Sequence, residues 1–187
     1  KYLVPQDIDL KVVEADEDMV AYLTHNKIVD HSQIIFLDFL KLSMEKVFDG
    51  QQFSIIGNFP YNISSQILIK MINHKELVPE MVGMFQKEVA DRVVAPPGSK
   101  TYGAISVLVQ AYYEGGTIID VPPISFDPPP KVNSSVIRLV RKSNLELGCD
   151  HRLFRQVVKN SFGQRRKMLR NTIKPMVNNV EMLEDPF

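Results

Sequence analysis

The sequence predicts an α/β fold, with a parallel, doubly wound sheet followed by a small helical domain. Short apolar runs alternate with amphipathic segments up to residue 94, which is typical of strands joined by helices. Two apolar runs without a helix between them follow, and the last segment combines helical periodicity with many basic residues. We therefore predict one domain over residues 1–142 and a helical domain over residues 150–187.

The alternating part predicts four strands and three helices. Apolar runs indicate strands at 10–14, 33–38, 53–57 and 81–86, and amphipathic segments indicate helices at 16–23, 64–73 and 87–94. Because consecutive parallel strands need a crossover connection, this alternation favours helices on both faces of one sheet.

The pattern changes after a loop rich in proline and glycine at 95–99. A helix is predicted at 103–110, and two strands at 111–121 and 134–140 are joined by a proline-rich connection. Strands joined without a helix are most simply antiparallel. Residues 143–148 are a predicted linker. Residues 152–174 have a helical pattern, which Gly163 is expected to divide into two helices.

The composition is that of an ordinary globular protein, with 44% hydrophobic and 24% charged residues. No apolar run approaches the roughly 18 residues that a membrane helix needs. Cys149 is the single cysteine, which excludes an internal disulfide and favours a reducing compartment. The four histidines show no metal-ligand spacing, so no metal site is predicted.

The net charge of zero hides an uneven distribution of charge. Residues 150–174 contain eight basic side chains and one acid, so the remainder carries seven net negative charges. The basic residues are Arg152, Arg155, Lys159, Arg165, Arg166, Lys167, Arg170 and Lys174. This basic segment predicts an anionic partner.

The loop Asn58-Phe59-Pro60-Tyr61 follows the third predicted strand and precedes the helix at 64–73. Ligands of open α/β sheets bind beyond the carboxyl ends of the strands, where this loop would lie. An amide, a proline-restricted backbone and an aromatic ring are suited to hold a planar ring that carries an amino group.

Two acids, Glu14 and Asp38, end successive predicted strands at the same edge as this loop. In such sheets an acid at a strand end commonly accepts hydrogen bonds from a ribose diol, and the next acid would reach the amino group of an adenine. The pair favours an adenosine-containing ligand, although acids also end strands simply because loops are solvated.

Five motifs resemble those of a known family. Residues 58–61 resemble the N-(L/I/F)-P-(Y/F) motif of S-adenosylmethionine-dependent adenine-N6 methyltransferases. Four more stretches narrow the resemblance: QKEVADR at 86–92, GSKTYG at 98–103, FDPPPKV at 126–132 and FGQRRK at 162–167. In that order they resemble the small-subunit ribosomal RNA adenine dimethyltransferases, the KsgA type of bacteria with its eukaryotic relatives. The match covers nearly the whole chain.

The resemblance implies a Rossmann-like methyltransferase sheet and a role for each motif residue. Asn58, through its side chain, and Phe59, through its backbone carbonyl, would accept hydrogen bonds from N6 of the target adenine, with Pro60 holding the backbone extended. Tyr61 and Phe126 would stack on the two faces of the base. The residues implied to bind S-adenosylmethionine are Glu14, Asp38, Phe39 and Asn58. No metal is implied.

The resemblance also implies that the helical domain binds ribosomal RNA. The residues expected to contact it are Lys131, Arg152, Arg155, Lys159, Arg165, Arg166, Lys167 and Arg170. The expected partner is small-subunit ribosomal RNA in an immature small ribosomal subunit. We expect a cytoplasmic monomer with no membrane association.

The ends of the chain depart from the family pattern. These enzymes carry a glycine-rich loop after their first strand, whereas no G-x-G-x-x-G-like run occurs here. The chain opens in what looks like the first helix, and the family's helical domain normally continues beyond Phe187. We therefore expect the sequence to be part of a longer protein and this chain alone to bind S-adenosylmethionine poorly.

Two alternatives remain beside dimethylation of small-subunit ribosomal RNA. One is the related large-subunit methyltransferase that confers macrolide resistance, against which the GSKTYG and FDPPPKV stretches argue. The other is a non-catalytic RNA-binding assembly factor on the same fold. An intact set from Asn58 to Tyr61 argues against it, because a pure binder has no reason to retain these residues.

Overall fold

The computed structural model describes residues 2–164 and 167–176, and the chain forms two compact units, Lys1–Phe53 and Ser54–Phe187. In the first unit, β1 (Val12–Glu14) pairs in parallel with β2 (Ile34–Phe36), and α1 (Glu17–His25) connects the two strands. This βαβ arrangement confirms the predicted crossover.

Short-range capping defines the ends of the elements in the first unit. Asp16 caps α1 because its carboxylate accepts a hydrogen bond from the Met19 backbone N–H at 3.0 Å. Three 3₁₀ turns complete the unit, and they span His31–Gln33, Phe39–Lys41 and Met44–Lys46. The side chains of Val29, Leu42 and Met44 are buried.

The second unit contains a four-stranded sheet in the order β3-β4-β6-β5. Its strands are β3 (Ile55–Asn58), β4 (Glu80–Gln86), β5 (Tyr113–Val121) and β6 (Ser134–Arg141). β3 and β4 are parallel, whereas β6 lies between β4 and β5 and is antiparallel to both. The predicted antiparallel pair is therefore confirmed, and its second strand occupies the interior of the sheet.

Five helices within the described residues accompany this sheet. They are α2 (Ser64–Asn73), α3 (Lys87–Val94), α4 (Ala104–Gln110), α5 (His151–Gly163) and α6 (Leu169–Ile173). α4 packs against α2, α3 and α5. The core side chains are almost completely buried: Ile67, Leu68, Met71, Val78, Met81, Phe85, Val93, Val109, Ile137 and Leu139. Burial of this apolar surface is the main force that holds the helices in place.

α5 is attached to the rest of its unit by polar contacts as well as by packing. The Tyr112 hydroxyl lies 2.6 Å from Nδ1 of His151, and the two rings stack. Burial raises the pKa of Tyr112. On the next turn of the helix, Arg155 donates a hydrogen bond to the Asn73 side chain at 2.5 Å.

The structure confirms the predicted α/β class and the order of the elements. The strands of the described residues form two sheets, of two and four strands, instead of the single sheet predicted. α5 ends at Gly163, where the sequence predicts a division of the helical segment. The predicted division into domains at 1–142 and 150–187 stays a prediction. None of the helices in the described part of the chain combines the length and apolar character of a membrane span.

Candidate active site

The candidate site is built around the loop that leaves β3. Asn58 is the last residue of that strand, pairs with Met84 of β4 and exposes its side chain. Pro60, at φ −58° and ψ 131°, directs the chain into a single 3₁₀ turn, Tyr61–Ile63, from which α2 starts directly. We call residues 58–61 the acceptor loop.

The Phe59 side chain anchors the acceptor loop in the protein. It is buried, and its ring lies 5.3 Å from the ring of Phe85, centroid to centroid. The ring also covers Gly57 and Gly83, since a Cβ at these positions would lie 2.7 and 2.6 Å from it. Because the ring is committed to packing, any role of Phe59 towards a ligand falls to its main chain. The acceptor role that the resemblance implies for its carbonyl stays a prediction.

Tyr61 is held at both ends by serines that the sequence analysis did not identify. Its hydroxyl lies 2.5 Å from Oγ of Ser134, the first residue of β6. Its backbone carbonyl accepts a hydrogen bond from Oγ of Ser64 at 3.0 Å. Both serines are buried, whereas Tyr61 is partly exposed. The ring of Tyr61 therefore has a defined orientation at the surface of the site.

A polar cluster ties α3 to the two antiparallel strands beside the acceptor loop. The Lys87 ammonium contacts Asp91 at 3.2 Å and Asp120 at 3.0 Å, and Ser135 donates a hydrogen bond to Asp120. The hydrogen bonds from Ser135 and Lys87 lower the pKa of Asp120, and those to Asp120 and Asp91 raise the pKa of Lys87. The sequence assigns no role to Lys87, and the structure places it in this cluster.

The connection between β5 and β6 carries two more of the predicted residues. Phe126 follows the 3₁₀ turn Pro123–Ser125 and is partly exposed, so its ring is accessible for stacking. Lys131 lines a surface cavity of about 300 Å³, together with Gln86, Lys87, Glu88, Pro123, Val132 and Asn133. Asn133 directly precedes Ser134, so this cavity adjoins the residue that contacts Tyr61. Stacking of Phe126 on a base stays a prediction.

In the first unit, the two strand-end acids lie at the same end of neighbouring parallel strands. Oε1 of Glu14 accepts hydrogen bonds from the backbone N–H groups of Ala15 and Asp16, at 2.8 and 3.0 Å. Oδ1 of Asp38 accepts one from the Leu40 backbone at 2.8 Å, and Phe39 opens the turn that Asp38 caps. In each carboxylate, one oxygen accepts these backbone hydrogen bonds, which fix the orientation of the group. Binding of the ribose diol and amino group of an adenosine by this pair of acids stays a prediction.

The basic segment is only partly exposed. Arg152, Lys159, Lys167 and Arg170 are exposed, whereas Arg155 is half-buried and bonded to Asn73. Arg165 and Arg166 lie outside the described residues. The described residues also include no group of three or more histidine, cysteine or acidic side chains arranged to hold a metal ion.

A family model described as ribosomal RNA adenine dimethylase matches residues 8–184. The chain belongs to the ribosomal RNA adenine dimethylase family. A curated member from Bacteroides thetaiotaomicron, named ribosomal RNA small subunit methyltransferase A, is 52% identical over 179 residues, which are 95% of this chain and 66% of the relative. The protein of the same name from Flavobacterium johnsoniae is 45% identical, over 99% of this chain and 71% of its own length. The chain thus spans about two thirds of the length of its curated relatives.

Solved structures agree with this family membership. A dimethyladenosine transferase from Plasmodium falciparum superposes with a TM-score of 0.72 at 27% identity, over 92% of this chain and 61% of that one. The 23S rRNA methyltransferase ErmE superposes with a TM-score of 0.67 at 21% identity, over 89% of this chain and 66% of that one. The second likeness shows a shared fold.

Proposed function

We propose that the complete protein transfers methyl groups from S-adenosylmethionine to N6 of two adjacent adenines in small-subunit ribosomal RNA. The product is N6,N6-dimethyladenine, formed during ribosome assembly. The observation that carries this proposal is the acceptor loop, in which an exposed amide, a buried anchor and an oriented aromatic ring follow one another at a strand end. The names of the relatives support the small subunit as the source of the RNA.

The acceptor loop supplies what the chemistry of an adenine amine requires. The N6 lone pair is delocalised into the ring, so the amine is a poor nucleophile. Acceptors on its two N–H groups favour the pyramidal geometry that bears positive charge during attack, and no strong base is needed. Asn58 offers its exposed side-chain carbonyl for one of them, and Phe59 its main-chain carbonyl for the other.

The aromatic residues fix the plane of the base. Stacking of a base on an aromatic ring contributes on the order of 1–3 kcal/mol and tolerates any base, so Tyr61 provides orientation and the acceptors provide selectivity. Phe126 would cover the opposite face. Holding the amine in line with the methyl donor is the main catalytic contribution of these residues.

S-adenosylmethionine supplies an electrophilic methyl group on its sulfonium. Glu14 and Asp38 would hold its ribose and adenine, and the family resemblance adds Phe39 and Asn58 to the residues that bind it. The oriented carboxylates support this assignment, since each presents an acceptor at the end of a parallel strand.

The basic segment would bind the phosphate backbone of the RNA. The exposure of Arg152, Lys159, Lys167 and Arg170 supports this role. Lys131, in the cavity that adjoins Ser134, would add a further phosphate contact. Such contacts position the RNA and carry little base specificity, so the choice of adenine rests with the acceptor loop. We place the protein in the cytoplasm, where it acts as a monomer.

Incubation of the full-length protein with immature small ribosomal subunits and methyl-labelled S-adenosylmethionine tests this proposal. We expect label in small-subunit ribosomal RNA, recovered as N6,N6-dimethyladenine after digestion to nucleosides. Purified large subunits serve as the control substrate. Label in large-subunit RNA would instead support the macrolide-resistance type of enzyme, and binding without any label would support a non-catalytic assembly factor.

A further inference from the structure

We infer that Ser134 is a positioning residue for methyl transfer, acting through the hydroxyl of Tyr61. The inference rests on the proposed function. The two oxygens lie 2.5 Å apart and belong to residues 73 positions apart in sequence, so the contact joins the acceptor loop directly to β6.

The hydroxyl of Tyr61 needs an explanation beyond stacking. A phenyl ring without the hydroxyl offers the same face to a base, so base binding alone does not require a phenol. In this structure the hydroxyl contacts Ser134, and this contact sets the direction of the ring. Ser64 fixes the other end of the residue through the Tyr61 carbonyl.

Ser134 is a rigid partner for this contact. Its side chain is completely buried, and it pairs with Gln86 of β4 on one side and Val121 of β5 on the other. A residue between two strands has little freedom to move. Ser134 thus fixes the position of the Tyr61 ring relative to the sheet, although Tyr61 itself belongs to a single 3₁₀ turn.

The second methyl transfer should depend most on this contact. Unmethylated adenine presents two N–H groups to the acceptors of Asn58 and Phe59, whereas the monomethylated base presents one. With one hydrogen bond fewer, the orientation of the monomethylated base relies more on stacking. Loss of the Ser134 contact should therefore allow the first transfer and impair the second.

The test compares full-length wild-type protein with Ser134→Ala, Tyr61→Phe and the double variant on immature small subunits. The readout is the ratio of mono- to dimethylated adenine, compared at equal total methyl incorporation. This ratio does not depend on the fraction of active protein. We expect a rise of about three- to tenfold in this ratio for each single variant, the usual effect of one neutral hydrogen bond. The double variant should be no worse than either single one.

Ser135→Ala is the matched control, because Ser135 is equally buried but donates to Asp120 instead of Tyr61. Ser135→Ala is expected to lower thermal stability and keep the wild-type product ratio. A wild-type ratio in Ser134→Ala, additive effects in the double variant, or an equal change in Ser135→Ala would overturn the inference. If Ser134→Ala does not fold, a wild-type ratio in Tyr61→Phe overturns it.

Thermal unfolding of the wild type, Ser134→Ala, Tyr61→Phe and the double variant separates this inference from the proposed function. Coupling between the two substitutions in the melting temperatures is expected whether or not the RNA is methylated, and its absence would refute the contact on which the inference rests. A wild-type protein that methylates no adenine would contradict the proposed function, and the inference with it.

Discussion

Among single residues, Asn58 has the most direct role in the proposed reaction. Asn58→Ala removes an acceptor from the developing positive charge, so we expect kcat to fall by about 10²–10³-fold. RNA affinity should stay within about twofold if, as we propose, phosphate contacts in the basic segment dominate it. Single-turnover methyl transfer and filter binding measure the two quantities.

Asn62→Ala provides the control at the same scale. Asn62 is also exposed, and it lies directly after the last residue of the acceptor loop, in the 3₁₀ turn that begins at Tyr61. Its replacement should leave kcat nearly unchanged. Retention of more than a tenth of wild-type activity by Asn58→Ala would rule out the acceptor role assigned to this amide.

At the scale of elements, the close approach of β4 to the acceptor loop depends on Gly83. A methyl group there would lie 2.6 Å from the Phe59 ring and 2.7 Å from the Phe85 ring. Gly83→Ala should therefore overpack the site, lower the free energy of unfolding by about 1–3 kcal/mol and reduce methyl transfer by displacing the acceptor loop. Urea denaturation and the methylation assay measure these effects.

Gly116→Ala is the matched substitution on β5. A Cβ at Gly116 meets no atom within 4 Å, and we expect its stability and activity to stay close to wild type. Equal losses in the two variants would mean that a generic effect of replacing a strand glycine, and not the contact with Phe59, determines the result.

At the scale of the whole molecule, the uneven charge should make RNA binding depend on salt. Arg152 and Lys159 are exposed on α5. If each contacts a phosphate, replacing both with glutamine should reduce the slope of log affinity against log salt by about 1.4–1.8. Titrations of RNA at several salt concentrations give the slope.

Lys46→Gln removes an exposed positive charge outside the basic segment and serves as the reference for this measurement. Its slope should match that of the wild type. Lys46→Gln could instead change the slope of log affinity against log salt by as much as each α5 substitution does. In that case RNA binding would reflect the net charge of the protein and not a defined surface.

The same molecule shows which features a sequence can predict. The order and type of the elements were predictable because their signals are local, such as the apolar run of β4 or the glycine that ends α5. The contacts that organise the site join distant residues: Tyr61 with Ser134, Lys87 with Asp120 and Arg155 with Asn73. Periodicity does not report such pairs. The family resemblance implies that Arg155 contacts RNA, whereas in the structure its guanidinium donates a hydrogen bond that joins α5 to α2.

The packing of the Phe59 ring limits which residues relatives can carry at the neighbouring positions. The Phe59 ring fills the space that side chains at Gly57 and Gly83 would occupy. A member with a smaller apolar residue at 59 would have room for a methyl group at 57, whereas a methyl group at 83 would still meet the Phe85 ring. We therefore expect positions 57 and 59 to change together among relatives, and position 83 to change only when the residues at both 59 and 85 are smaller.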